Sequence, residues 1–385
     1  MVNLTNADSA LRVYIDAISE QLNYGTGAFF AAIEKNSNYV WGKEVRKPVT
    51  HGINGGIGAG AEDGNLPKSS SQGYTCFTAP LKNLYGVIEI SDKAVRASEN
   101  DPAAAVNLLN AEMESLLASS KLNLARMLMG DGMGELAIVS NVNGNKVTVE
   151  ATHNFVEGMC VEFLGGNGEV LDTDLRVTKI DKVNKEVTFN RIVSQEVIGF
   201  CANVVGSYKN EITGLRAIFS SNVPTLYGLK KSQNPWLQPY TETDIGEITE
   251  LKLQTALDEI EEKSGNAPDM ILCSWGVRRA IQNMLSKNRT AISTTELAGG
   301  YKAITYNGIP VVADRFVAPG ELIMVNTKDF TLHQLCDWQW LEGDDGRILK
   351  QIPGKPVYTA TLVKYAELMC ARPCGQGIMY GITEA

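Results

Sequence analysis

Apolar residues fall at steps of three and four along some stretches of this chain and at every second position along others, which divides it into helical and extended segments. Residues 7–22 carry Leu11, Ile15, Ile18 and Leu22 at helical spacing, predicting a short amphipathic helix that ends near Asn23-Tyr24-Gly25-Thr26-Gly27. Two extended stretches, 39–50 and 74–90, then flank the tract Gly52-Ile53-Asn54-Gly55-Gly56-Ile57-Gly58-Ala59-Gly60. Ala61-Glu62-Asp63-Gly64-Asn65-Leu66-Pro67-Lys68 and three serines follow it. This layout predicts a long two-stranded excursion whose tip cannot bury a core of its own.

Asn100-Asp101-Pro102 opens the clearest helix. Asp101 can cap its free amides, and Pro102 suits the first turn because its missing N–H would be unpaired there. Val106, Leu109, Met113, Leu116, Leu117, Leu124, Met127 and Leu128 recur mostly at steps of three and four, and Gly130-Asp131-Gly132 stops the helix. About 28 residues at about 1.5 Å each give a rod of roughly 42 Å.

From 136 to 205 the texture changes to short strands and turns. Val147 and Val149 alternate with polar residues, as do Met159, Val161 and Phe163; Gly165-Gly166-Asn167-Gly168 turns the chain, and Val177, Ile180, Val187 and Phe189 continue the pattern. Closely spaced strands over this block predict a small β-barrel or sandwich inserted in the main fold. After a connection containing Pro224, Pro235 and Pro239, α/β texture begins. Leu253, Ala256, Leu257 and Ile260 mark one helix, Asp269-Met270-Ile271-Leu272-Cys273 a buried strand, and Val277, Ile281 and Leu285 a second helix. Strands follow at 309–313 and 321–325. The end is strand-rich: 330–341, a turn at Asp344-Asp345-Gly346, then an alternating run through Tyr358, Ala360, Leu362 and Tyr365.

Composition narrows the function. The 385 residues are 44% hydrophobic and 21% charged, which excludes wholesale disorder, and no apolar run is long enough to span a bilayer. A net charge of -9 argues against gripping nucleic acid through its phosphates, although a surface could still face it. No basic segment followed by an apolar one opens the chain. Seven scattered cysteines read as buried reduced thiols in a cytoplasmic setting.

Chemistry finds little support. The glycine tract fails the Walker spacing, since Pro67 precedes Lys68-Ser69. His51, His153 and His333 are far apart, without metal-ligand spacing, and each reads as a surface or turn residue. Asp172-Thr173-Asp174 and Asp344-Asp345-Gly346 lack the remaining ligands of an EF-hand. Cys370 and Cys374 are separated by three residues, not the two of a redox or zinc knuckle, and read as core thiols. Asp258, Glu259, Glu261 and Glu262 lie opposite Leu257 and Ile260 as a solvated helix face. No catalytic residues, cofactor or metal are expected.

The order of parts is what becomes recognisable: helix and arm, extended loop, long helix ending in Gly-Asp-Gly, α/β lobe, return to long strands. With Ile88-Glu89-Ile90-Ser91-Asp92-Lys93 entering the long helix, Leu128-Met129-Gly130-Asp131-Gly132 leaving it and Asn307-Gly308-Ile309-Pro310-Val311-Val312 in the lobe, it resembles the major capsid protein of tailed bacteriophages, the Hong Kong 97 type. The resemblance covers nearly the whole chain outside 136–205 and implies an α+β fold. Its parts would be an N-terminal arm (1–38), an extended loop (39–90), the long helix of a peripheral domain (91–135), an inserted β-domain (136–205), a connection (206–248), an axial domain (249–326) and peripheral return strands (327–385).

It further implies a head protein that self-assembles as hexamers and pentamers into an icosahedral shell around double-stranded DNA. Such a protein belongs to the virion and is assembled in the host cytoplasm, with no membrane partner and with DNA faced rather than tightly bound. Many relatives begin with a cleaved scaffolding segment; here the sequence runs from Met1 straight into the arm, so a separate scaffolding protein is expected, with a portal. Leu11 and Ile15 on the arm and Ile57, Leu66, Lys68 and Tyr74 on the loop are the candidate contacts between subunits. At about 25 cal/mol per Å2, 1,000 Å2 of apolar burial is worth roughly 25 kcal/mol before ordering costs, enough to make dissociation slow. Two rivals remain: a nanocompartment shell of the encapsulin kind, and a cytoplasmic α/β enzyme or ligand-binding protein with a β-module.

Overall fold

The structure, a computed structural model, describes residues 27–93, 102–287, 294–296, 302–343 and 346–385. The expected helix at 7–22, with Leu11 and Ile15, the cap Asp101 and the Asp344-Asp345 turn lie outside the described residues.

The long helix spans Pro102–Met129, 28 residues dominated by the strong helix formers Ala, Leu and Met. Met113, Leu117, Leu124 and Leu128 are buried along one stripe. That stripe packs on the strand Lys82–Ser91, where Gly86 leaves room: a Cβ there would lie 3.0 Å from Leu116 Cδ1. The free carbonyls at the end of the helix are taken up by a later segment. Leu215 N donates to the Leu128 carbonyl at 2.8 Å and Arg216 N to that of Gly130 at 3.1 Å.

Beneath the helix lies a five-stranded sheet. Its centre is the 14-residue strand Val357–Cys370, paired antiparallel with Lys82–Ser91 on one side and with Phe330–Trp340 on the other; Lys350–Gln351 also joins it. Glu34–Asn36 adds a parallel edge strand against Thr331–His333. The helix just before it, Ala28–Ala32, drives Phe29 and Phe30 into the main core, with Phe29 meeting Phe330 edge-on at 5.2 Å. The last residues of the stretch read as an arm are therefore packed into the body.

A seven-stranded sheet builds the α/β lobe, in the order 240–242, 377–379, 322–325, 270–273, 309–313, 302–306, 294–296. Helix Glu250–Ser264 starts on the Thr249 side chain, which accepts from Lys252 N, and ends at Gly265 in the left-handed conformation (φ 75°). It shares one core with helix Trp275–Lys287, through Leu253, Leu257, Ile260, Val277, Ile281 and Leu285. Asn307 and Gly308, both at positive φ (48° and 82°), form the two-residue turn between paired strands, the role for which this dipeptide is best suited. The sheet recruits Tyr240–Glu242 and Gly377–Met379 from outside 249–326.

Six short strands between Glu135 and Val204 close a barrel. Its interior holds Val147, Val149, Val161, Phe163, Val177, Val187 and Phe189, the inward positions of the alternating pattern. The chain enters and leaves side by side: Lys209 N donates to the Met133 carbonyl at 3.0 Å.

Candidate assembly surfaces

The hairpin Glu44–His51 and Gly73–Pro80 pairs without a register shift from Glu44 opposite Pro80 to His51 opposite Gly73. Its lower half belongs to the body. Val45 and Phe77 are fully buried, Phe77 lies parallel to Trp236 at 5.8 Å, and Thr78 N donates to the Tyr227 carbonyl at 3.0 Å. His51 stacks on the other end of this anchor, its ring parallel to that of Trp236.

Beyond His51 the hairpin leaves the body. Its two legs stay close because glycine lines one of them: a Cβ on Gly58 would lie 3.1 Å from Pro67 Cγ, and one on Gly56 would lie 3.3 Å from Ser70 N. Nothing else among the described residues covers them, and the residues from Gly58 to Ser71 are all exposed. Ile53, Ile57 and Leu66 are 86%, 83% and 90% exposed, against the ordinary tendency of such side chains to be covered. Lys68 is exposed beside them, and Tyr74 projects at the root of the tip, its hydroxyl accepting from Gln72 Nε2 at 3.4 Å. The tip thus gathers Ile57, Leu66, Lys68 and Tyr74 into one projecting element.

The described histidines, cysteines and buried carboxylates are spread across the fold. The three histidines stay apart, but the expectation that each is a surface or turn residue fails for His333. It lies inside the strand Phe330–Trp340, 1% exposed, and burial lowers its pKa. His153 sits in a turn of the barrel segment; burial, reinforced by Arg216, pulls its pKa down to about 4. Glu367 is fully buried, accepts from Thr213 N at 2.7 Å and from its neighbour Leu368 N at 3.2 Å, and is pushed up by burial to about 7. All seven cysteines are free thiols; Cys273 and Cys370 are buried, whereas Cys76 and Cys160 are exposed. Burial raises Cys273 to about 12, which leaves an inert thiol. Among the described residues no cluster of His, Cys, Asp and Glu could hold a metal ion, and no helix is long and apolar enough to cross a membrane.

Sequence reasoning missed two large exposed apolar side chains. Leu251 and Trp275, at the starts of the two lobe helices, are 77% and 56% exposed. Each lies two residues before the first residue of its helix's apolar stripe, on the opposite face, so the periodicity that located the stripe passed over it.

Residues 191–345 match the family model of the SU10 major capsid protein. No curated protein matches the sequence. Among solved structures, the chain is similar to the cyanophage A-1(L) capsid subunit, with 11% identity over 94% of each chain and a TM-score of 0.56. It also aligns with a capsid chain of Mycobacterium phage Adephagia (11% identity, 93% of this chain and 91% of that one, TM-score 0.47) and with the SrpI encapsulin of Synechococcus elongatus (10%, 91% and 85%, TM-score 0.45). The family match over residues 191–345, together with a fold shared along nearly the whole chain with a phage capsid subunit, supports a tailed-phage major capsid protein, a protein of the capsid shell.

Proposed function

We propose that the protein assembles as hexamers and pentamers into an icosahedral head around double-stranded DNA, with the division of labour of the Hong Kong 97 fold. The lobe built on the seven-stranded sheet acts as the axial domain, and the long helix with its five-stranded sheet as the peripheral domain. The hairpin is the extended loop, and the barrel is an insertion. The adjacent entry and exit of the barrel at Met133 and Lys209 support the last assignment, because a module joined at one point can be removed without cutting the core.

The observation that carries this reading is the hairpin tip. Ile53, Ile57 and Leu66 project from a packed anchor, and no described residue covers them. Burying them on a neighbour would yield roughly 5–9 kcal/mol gross per loop, repeated at every subunit of a closed shell. Ile57, Leu66, Lys68 and Tyr74 are the contacts we assign to the loop, and Leu11 and Ile15 those of the arm. The net charge of -9 suits a wall that faces packaged DNA without holding it. A scaffolding protein and a portal are the assembly partners this reading requires, and the host cytoplasm its place of assembly. The family and fold are those of a structural protein, and we assign the chain no catalytic role.

Deletion of residues 52–71, bridged by a short turn, tests the reading. The subunit should keep its circular dichroism and thermal transition but give no closed particles. Normal particles from the shortened chain would remove the loop from assembly.

A further inference from the structure

The two helices of the α/β lobe lie on one core and carry opposite charge. Helix Glu250–Ser264 has five acidic residues against two basic, and helix Trp275–Lys287 has three basic residues and no acidic one. Asp258, Glu259, Glu261 and Glu262 are exposed, and none of them makes a salt bridge with another described residue. Arg278 is half-buried and Arg279 exposed, and neither makes a salt bridge with a described Asp or Glu. Each helix also opens on a large apolar side chain left in water, Leu251 on the acidic one and Trp275 on the basic one.

Trp275 is not isolated. The Arg278 guanidinium lies 6.0 Å from its ring centroid, and Arg279 Nε donates to the Ala385 carbonyl, so both arginines are held beside the indole. Exposed Trp flanked by ordered Arg is the composition that dominates binding energy at protein interfaces. An apolar side chain on an acidic helix face is its complement, and helix Glu250–Ser264 supplies that through Leu251 in its first turn and Asp258, Glu259 and Glu262 further along.

Both helices pack on one core, and no salt bridge joins Arg278 or Arg279 to Asp258, Glu259, Glu261 or Glu262 among the described residues. We propose that Trp275, Arg278 and Arg279 of one subunit dock on the acidic face of helix Glu250–Ser264 of a second copy. The two faces differ, so the contact is head-to-tail, and a head-to-tail contact whose rotation closes generates a ring. The charges set which faces meet and the angle between copies, while Trp275 and Leu251 supply the buried apolar area. This inference rests on the shell reading above and names a contact within it.

Charge reversal in the full-length protein tests it. Glu259→Arg with Glu262→Arg, or Arg278→Glu with Arg279→Glu, should each cut the yield of closed particles about tenfold by placing like charges together. The four substitutions combined restore opposite charge between copies and should recover most of the yield. Trp275→Ala should lower particle yield while the thermal transition of the unassembled subunit stays within about 2 °C, since the side chain is mainly exposed. Full yield from either reversed pair overturns the inference, as does failure of the combined variant to recover. The latter is the result expected if the arginines serve nucleic acid instead. Absence of particles from the unaltered chain, expressed with its scaffolding protein, would instead contradict the shell reading.

Discussion

The imidazole of His51 lies flat on the indole of Trp236, with ring centroids 4.6 Å apart and planes 9° from parallel. Gly73, opposite His51 in the hairpin, makes the stack possible: a Cβ there would lie 2.2 Å from the imidazole. This is the last point at which the hairpin touches its own body, and it divides an anchored root from a projecting tip. Trp236 also carries Phe77, so Trp236→Ala should cost about 2–3 kcal/mol, somewhat below a fully buried tryptophan. Hydrogen exchange should show the loss of protection concentrated in residues 44–51 and 73–80. Unchanged exchange there would mean that the stack does not hold the hairpin.

Gly214 is fixed by the end of the long helix. A Cβ on it would fall 2.3 Å from the Met127 carbonyl oxygen and 2.6 Å from those of Leu128 and Gly130. Those atoms are backbone and cannot swing aside. Gly214→Ala should therefore destabilise the subunit by about 3 kcal/mol or more and disturb the bonds from Leu215 and Arg216 that finish the helix. Chemical denaturation of the variant measures this directly.

Arg126 and Glu211 form an ion pair with almost no exposure, Arg126 Nη1 donating to Glu211 Oε2 at 3.1 Å, and Asn123 accepts from the same guanidinium. The pair ties the long helix to the segment leaving the barrel. Arg126→Met leaves a buried carboxylate without its partner and should cost about 3–5 kcal/mol. The double variant Arg126→Met with Glu211→Leu removes both charges and should recover much of that loss, as urea denaturation of the three proteins would show.

Two buried groups oppose each other in pH dependence. Glu367, raised to about 7 from an ordinary 4.5, stays protonated in the fold while the unfolded chain ionises. Stability on its account is full below pH 4.5 and declines as pH rises to 7. His153, lowered to about 4 from 6.5, stays neutral in the fold while the unfolded chain takes up a proton. Its contribution is full above pH 6.5 and is lost as pH falls toward 4. These two contributions should thus largely cancel from pH 4.5 to 6.5. Glu367→Gln should expose the histidine, making stability rise with pH across that window, with a gain of order 3 kcal/mol over wild type at pH 8. An unchanged pH profile for this variant would show that Glu367 ionises normally.

Much of the fold is readable from residue spacing. The helix at Pro102–Met129 follows from its apolar steps, its proline start and the Gly130-Asp131-Gly132 stop, and the lobe helices follow from stripes that are buried as expected. Long periodic segments carry their own signal. Three-residue strands do not: Tyr240–Glu242 and Gly377–Met379 join the seven-stranded sheet by pairing alone, with too few residues to show a period. Phe29 and Phe30 escape for a related reason, since a five-residue helix shows a single turn of pattern. His333 is hidden by its polarity, because only the tertiary fold covers that strand position.

For the assembly surfaces, the glycine tract already marks a tip unable to bury itself, and Ile57, Leu66 and Tyr74 are exposed there. Where the root ends is not written locally. It is decided by Trp236, which is distant in sequence and meets His51 and Phe77 only in the folded chain.

Cryo-electron microscopy of particles formed by the full-length protein tests the central claim most directly, through the surroundings of Ile57 and Leu66. The account predicts closed shells in which both side chains are buried against a neighbouring subunit. Shells in which the tip stays in solvent, or a chain that remains a monomer with the tip folded onto its own body, would contradict it.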